Sequence, residues 1–132
     1  MPVPAAQVLI VEDDAQVRVL AEGIVQELGH TVLTAGTVDE AFALLTADHR
    51  IDLLFTDLNL RDEHHGGVEV GRTARGGRPE IKVIYTSGEG VNNGTRALFV
   101  DGFLFLQKPY TPHDLEAAVG IALSGEASNS PP

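Results

Sequence analysis

Short apolar runs alternate with longer amphipathic segments along this chain, and this alternation restricts the fold more than any other feature. Five runs are rich in aliphatic and β-branched residues: 8–11, 31–34, 53–56, 83–86 and 103–106. All but the second are apolar nearly throughout, as is typical of strands covered on both faces. Because crossovers between parallel strands are right-handed, the pattern predicts a (βα)5 α/β domain, a doubly wound parallel sheet with helices on both faces.

The segments between the runs carry helical spacing and end signals. The predicted helices span 17–28, 38–45, 68–74, 91–100 and 112–123. Gly29 is a stop signal after the first helix, and Thr37 and Thr111 are typical capping residues before the second and the fifth. Pro112 suits the first helical position. The fourth helix is expected to be weak, because residues 92–94 are poor helix formers.

Length and composition limit the class of protein. The 132 residues suffice for one domain, and no apolar run approaches the ~20 residues of a membrane span. The net charge of −10 argues against direct binding to nucleic acid, because phosphate contacts need a basic face. No signal peptide pattern is visible and cysteine is absent. We therefore expect a cytoplasmic protein.

Polar residues follow four of the predicted strands. Glu12 and Asp13 follow the first strand, Asp57 the third, Ser87 the fourth and Lys108 the fifth. The carboxyl ends of parallel strands meet at one edge of a sheet, so these groups should converge there. Crowded carboxylates repel one another, and Mg²⁺, which prefers oxygen ligands, removes that conflict. With a hydroxyl and an ammonium nearby, such a site suits phosphoryl transfer to a carboxylate.

These motifs resemble the receiver domains of bacterial response regulators. The matching segments are VLIVEDD at 8–14, DLLFTDL at 52–58, VIYTSG at 83–88 and FLQKPY at 105–110. The resemblance implies a flavodoxin-like fold with strand order 2-1-3-4-5. It covers 7–123 as the receiver domain, and it leaves 124–132 as a flexible C-terminal tail.

The resemblance also implies a site for Mg²⁺ and a phosphoryl group. Asp57 matches the phosphoacceptor, which takes its phosphoryl group from a phosphohistidine on a sensor histidine kinase or a histidine phosphotransfer protein. Asp13 would bind Mg²⁺ directly and Glu12 through water, and the backbone carbonyl of Asn59 matches the third protein ligand. Such a protein is a phosphoacceptor rather than a conventional enzyme.

Further residues match positions of the family that respond to or control the phosphoryl group. Lys108 matches the lysine that pairs with a phosphoryl oxygen. Ser87 and Phe105 match the hydroxyl and the aromatic ring that move together on activation, which would alter the face made by the fourth helix, fifth strand and fifth helix. Asn59 and Glu89 match the two variable positions that tune hydrolysis.

The sequence departs from the family pattern in the loop after Asp57. Arg61 stands where the family often has proline, and His64 and His65 lie in a slightly long loop. Adjacent histidines can bind a transition metal, although pairs on a loop are more often solvated. Both interpretations remain open.

A phosphatase, a pseudo-receiver and a fragment of a larger kinase are the alternatives to the phosphoacceptor hypothesis. Mg²⁺-dependent phosphatases with an aspartyl phosphate need a second acid two residues after the nucleophile, where this chain has Asn59. A pseudo-receiver, which is an interaction module without phosphorylation, is expected to lack Asp57, Lys108 or the acidic pair. A receiver cut from a hybrid histidine kinase is a further alternative.

Overall fold

Five strands and five helices alternate along the chain. The computed structural model describes residues 5–60 and 66–124. The strands are β1 (Gln7–Val11), β2 (Thr31–Ala35), β3 (Leu53–Asp57), β4 (Lys82–Ser87) and β5 (Leu104–Gln107). The helices are α1 (Ala15–Glu27), α2 (Val38–Thr46), α3 (Gly66–Gly77), α4 (Asn93–Arg96) and α5 (Pro112–Ser124).

The strands form one parallel sheet in the order β2-β1-β3-β4-β5, which confirms the predicted fold and strand order. β1, β3 and β4 lie inside the sheet and are buried along nearly their whole length. The fifth run is covered on both faces only in part, because Phe105 packs against one apolar cluster of the sheet and Leu104 and Leu106 against the other. β5 is an edge strand whose side chains are half-buried, and Gln107 is exposed.

Two apolar clusters occupy the two faces of the sheet. The cluster under α2 and α3 includes Leu9, Val11, Leu54, Val83 and Tyr85. The cluster under α1 and α5 includes Val8, Ile10, Leu53, Phe55 and Ile84. Successive residues of a strand point to opposite faces, so each apolar strand supplies both clusters. This double burial explains why the central strands have no polar alternation.

The predicted capping residues begin their helices. The Thr37 hydroxyl accepts from the Glu40 N–H at 3.0 Å, and the Thr111 hydroxyl accepts from the Asp114 N–H at 3.0 Å. The Asp114 carboxylate in turn accepts from the Thr111 N–H at 3.0 Å, which completes a capping box. The Glu40 carboxylate instead accepts from the N–H of Gly36 at 2.6 Å.

The helices shift from their predicted bounds, and α3 and α4 differ the most. α3 begins at Gly66 rather than at residue 68, because its first turn packs against the end of β3 and burial outweighs the low helix propensity of glycine. α4 has one turn, Asn93–Arg96, where 91–100 was predicted. After it, Leu98 and Phe99 donate to carbonyls three residues back, so the chain leaves α-helical geometry.

Some predictions lie at the margins of the described residues. α5 ends at Ser124, the residue where the tail was expected to begin, and 125–132 lie outside the described residues. The His64–His65 pair and Arg61 also lie outside them. In the described parts of the chain, every helix is too short or too polar to cross a membrane.

Candidate functional site

The carboxyl ends of β1, β3, β4 and β5 place four predicted site residues together. Asp57 and Ser87 are the last residues of β3 and β4, while Glu12 and Lys108 directly follow β1 and β5. The hydrogen bonds between β4 and β5 align the ends of these two strands, because the Lys108 N–H donates to the Ser87 carbonyl at 2.9 Å. The predicted convergence at this edge of the sheet is therefore present in the structure.

Lys108 forms the central contact of the site. Its Nζ lies 2.7 Å from Glu12 Oε1 and 2.6 Å from Asp57 Oδ2. Glu12 and Asp57 are buried, with 4% and 5% of their surface exposed. In such surroundings an ion pair is screened far less than on the surface, and an unpaired carboxylate is costly. One ammonium therefore compensates two buried acids.

The same contacts set the protonation of the site. Burial raises the pKa of Glu12, and the hydrogen bond from Lys108 only partly opposes that rise. Burial alone would lower the pKa of Lys108, but its hydrogen bonds to Asp57 and Glu12 reverse this, so the pKa of the ammonium is raised. Lys108 is consequently charged at neutral pH.

Three carboxylates are close enough to share one cation. Oxygen atoms of Glu12, Asp13 and Asp57 all lie within 4.8 Å of one another. Asp57 Oδ1 also accepts from the Asn59 N–H at 2.9 Å, which holds the Asp57 carboxylate against the backbone that follows β3. A compact set of carboxylate oxygens suits a hard cation such as Mg²⁺.

Ser87 is held at both its hydroxyl and its carbonyl. The hydroxyl accepts from the Glu89 N–H at 3.0 Å and from Asn59 Nδ2 at 3.3 Å. The carbonyl accepts from Gln107 Nε2 at 3.1 Å as well as from the Lys108 N–H. Sequence reasoning missed the side-chain contacts of Asn59 and Gln107, because they depend on rotamers that no motif encodes.

Phe105 and Glu89 lie at the border of the site. Phe105 is half-buried on β5 and is paired in register with Tyr85 of β4. Glu89 is exposed in the loop after β4, two residues beyond Ser87. The structure therefore places one residue beside the core of the β4–β5 edge and the other at the solvent-facing mouth of the site.

Gly67 restrains the backbone of the site by packing closely against the end of β3. A Cβ at this position would overlap the carbonyl oxygen of Asp57 and lie 2.6 Å from the Cα of Leu58. The Gly67 N–H also donates to the Leu58 carbonyl at 3.1 Å. Sequence reasoning missed this role, and the only signal for it was a glycine pair where a helix begins. A side chain there would displace the main chain that carries Asp57.

The fold and the site together define a parallel α/β domain with an acidic, lysine-paired site at the carboxyl edge of its sheet. The family model described as response regulator receiver domain matches residues 8–120. The chain therefore belongs to the response regulator receiver domain family of two-component systems.

Two curated proteins are similar over most of the chain. The nitrogen assimilation regulatory protein NtrX of Azorhizobium caulinodans is 30% identical over 120 residues, which are 90% of this chain and 26% of that protein. The DNA-binding transcriptional regulator NtrC of Azospirillum brasilense is 30% identical over 129 residues, 97% of this chain and 26% of that protein. The chain spans about a quarter of the length of these relatives.

Solved receiver structures share the fold. A response regulator receiver protein from Sinorhizobium medicae WSM419 superimposes with a TM-score of 0.83 at 26% identity, covering 92% of this chain and 96% of that one. The chemotaxis response regulator CheY4 of Vibrio cholerae has a TM-score of 0.77 at 23% identity, with 89% of this chain and 98% of that one covered. The second likeness concerns the fold alone.

Removal of the Lys108 ammonium should destabilise the metal-free protein. Lys108→Met leaves two buried carboxylates without a counter-charge, so we expect the free energy of unfolding at neutral pH to fall by about 3 kcal/mol. The loss should shrink as the pH falls through the raised pKa of Glu12, because protonation of that carboxyl removes the repulsion. Urea unfolding in the presence of a chelator, repeated at several pH values, measures both effects.

Lys82→Met is the matched control, because Lys82 begins β4 at the opposite edge of the sheet. We expect this variant to change stability little and to show no recovery with acid. Equal losses for the two variants at every pH would show that the ion pair of Lys108 does not hold the site together.

Proposed function

We propose that Asp57 accepts a phosphoryl group from a phosphohistidine, with Mg²⁺ as cofactor. The observation that supports this most is the pair of contacts on the Asp57 carboxylate. Oδ2 accepts from the Lys108 ammonium and Oδ1 accepts from the Asn59 N–H. These contacts fix the orientation of the carboxylate, and Glu12 and Asp13 lie within cation-sharing distance of it.

The proposed reaction transfers the phosphoryl group from nitrogen to oxygen. An Asp57 oxygen attacks phosphorus, the P–N bond of the phosphohistidine breaks, and its electron pair returns to the imidazole. Mg²⁺, held by Asp13, Asp57 and the Asn59 carbonyl and through water by Glu12, would neutralise charge on the transferred group. Lys108 then moves its hydrogen bond from the carboxylate to a phosphoryl oxygen.

The donor is proposed to be a sensor histidine kinase or a histidine phosphotransfer protein in the cytoplasm. We propose that residues 7–123 form the receiver domain. We also propose that this domain acts by contacting another protein, because the net charge of −10 disfavours binding to nucleic acid. The DNA binding named for the NtrC relative belongs to that longer protein. A hybrid-kinase receiver and a pseudo-receiver remain the alternative proposals.

Phosphorylation is the direct test of the proposal. Incubation with acetyl phosphate and Mg²⁺ should add the mass of one phosphoryl group, and a chelator should prevent it. Asp57→Asn and Asp57→Ala should remove the adduct, because both lack the attacking carboxylate oxygens. Asp114→Asn is a matched control, since this exposed acid caps α5 away from the site.

The readout is intact protein mass with and without metal. An adduct that persists in Asp57→Ala would contradict the assignment of the phosphoacceptor. A wild-type protein that binds Mg²⁺ but gains no mass from acetyl phosphate or from a phosphorylated kinase would favour the pseudo-receiver.

Ser87 and Phe105 are proposed to transmit phosphorylation to α4, β5 and α5. The Ser87 hydroxyl accepts from Asn59 Nδ2 and from the Glu89 N–H, and in the proposed switch its own proton is donated to a phosphoryl oxygen. Movement of that hydroxyl would open space beside β4 for Phe105. Phe105 pairs in register with Tyr85. Movement of Phe105 would therefore shift Tyr85 and, through it, the segment after α4.

The segment after α4 is attached to the core through Tyr85. The buried Tyr85 hydroxyl accepts from the Val100 N–H at 3.2 Å, and the Phe99 ring stacks on Tyr85 with centroids 4.2 Å apart. α4 itself is one exposed turn with no buried residue. Few buried contacts mean low local stability, which suits an element that rearranges.

Amide hydrogen exchange tests the proposed switch. With Mg²⁺ and beryllofluoride, a stable phosphoryl mimic, exchange should change across residues 87–107 as well as near Asp57. Ser87→Ala should bind the mimic but lose most of the distant change. Changes confined to the surroundings of Asp57 in the wild type would contradict the coupling.

Asn59 and Glu89 are proposed to permit rapid hydrolysis of the phosphoryl group. Asn59 is half-buried beside Ser87, and Glu89 is exposed at the mouth of the site. Neither side chain places an apolar cover over Asp57, so water retains an in-line approach. We therefore expect the phosphorylated protein to decay within minutes, and we expect Asn59→Met and Glu89→Leu to slow that decay severalfold.

Decay of the phosphorylated protein after donor removal gives the rate. Glu116→Leu is the control, because Glu116 is an exposed acid on α5 whose loss should leave the rate unchanged. A wild-type lifetime of many hours that neither substitution at the site alters would refute the tuning role.

A further inference from the structure

Arg18 contacts the acidic loop from the first turn of α1. Its Nη1 donates to the backbone carbonyl of Glu12 at 2.7 Å. The guanidinium also lies against Gly36, because a Cβ built on Gly36 would be 2.9 Å from Nη1 and 3.6 Å from Cζ. Arg18 thus bridges the ends of β1 and β2, behind the carboxylates.

The contact completes the restraint of Glu12. The Glu12 N–H donates to the Ala35 carbonyl at 3.0 Å, and its carboxylate bonds Lys108 and the Asp14 N–H. The carbonyl of Glu12 belongs to the peptide that leads into Asp13. Because a peptide unit is planar, a donor on that carbonyl fixes the direction in which Asp13 leaves Glu12.

We propose that Arg18 is a positioning residue that holds the Glu12–Asp13 peptide so that the Asp13 carboxylate faces the cation site. The inference rests on the proposed Mg²⁺ site and adds a residue to it. Groups that orient metal ligands from behind typically change metal affinity by 10–100-fold when they are removed. Arg18 would act in this way through the main chain.

Charge and geometry give opposite predictions for this arginine. If Arg18 acted only as a positive charge near the carboxylates, its removal would strengthen Mg²⁺ binding by removing repulsion between cations. If it orients Asp13, its removal weakens Mg²⁺ binding. The direction of the change therefore distinguishes the two roles.

Gly36 allows the guanidinium to be displaced while its charge is kept. The methyl group of Gly36→Ala would lie 2.9 Å from Arg18 Nη1, so the flexible end of the arginine must move. The backbone of Gly36 is not in the left-handed region, so alanine fits the main chain there. This variant tests the position of the guanidinium separately from its charge.

Calorimetric titration of the full chain with Mg²⁺ measures the affinity directly. We expect Arg18→Met to weaken binding about tenfold, Arg18→Lys to restore part of it, and Gly36→Ala to weaken it by a smaller factor. In the Arg18→Met background, Gly36→Ala should have no further effect. Arg72→Met is the control, because Arg72 is an exposed residue of α3, and it should leave the affinity unchanged.

Phosphorylation by acetyl phosphate supplies a second readout. In Arg18→Met the Mg²⁺ concentration for half-maximal rate should rise about tenfold, while the rate at saturating Mg²⁺ returns close to wild type. Unchanged or tighter Mg²⁺ binding in Arg18→Met would overturn the inference, as would an unchanged affinity in Gly36→Ala. Metal-free thermal unfolding of each variant confirms that the chain folds.

The proposed function and the inference fail differently in these experiments. A wild-type chain that binds no Mg²⁺ at millimolar concentration refutes the proposed site and the role of Arg18 with it. A wild type that binds Mg²⁺ and is phosphorylated, with variants that behave identically, refutes the role of Arg18 alone.

Discussion

Two buried carboxylates, those of Glu12 and Asp57, share the ammonium of Lys108, and the arrangement of the site depends on that shared charge. The three residues lie at or directly after the carboxyl ends of β1, β3 and β5. A parallel sheet places these strand ends at the same edge. An ion pair of this kind costs desolvation and repays it only with good geometry. The continuous apolar strands, buried on both faces, supply the rigidity that keeps this geometry.

The carboxyl edge of the sheet combines a rigid part with a part of low local stability. Gly67 packs against the Asp57 backbone, and the Lys108 N–H donates to the Ser87 carbonyl, so the main chain that carries Asp57 and Lys108 has little freedom. The single exposed turn of α4 follows the Ser87 end of β4 in the chain, and the segment after it packs on the core through the stacked rings of Tyr85 and Phe99. The proposed switch would thus join a rigid site to a surface of low local stability.

The sequence predicted the strands, the parallel layers and the convergence of Glu12, Asp57, Ser87 and Lys108, because apolar runs and strand-end residues are local signals. The strand order came from the family resemblance. The start of α3 was missed because close packing of Gly67 outweighs propensity, and α4 was overestimated because apolar spacing does not reveal helix length. The Arg18 contact depends on a rotamer and a loop, which no spacing encodes.

A crystal structure of the chain with Mg²⁺ and beryllofluoride tests the central claim most directly. The account predicts the mimic on an Asp57 oxygen, Mg²⁺ between Asp13, Asp57 and the Asn59 carbonyl, and Lys108 Nζ moved onto the mimic. A mimic bound at another residue, or Lys108 still bridging Glu12 and Asp57 beside a loaded site, would contradict it.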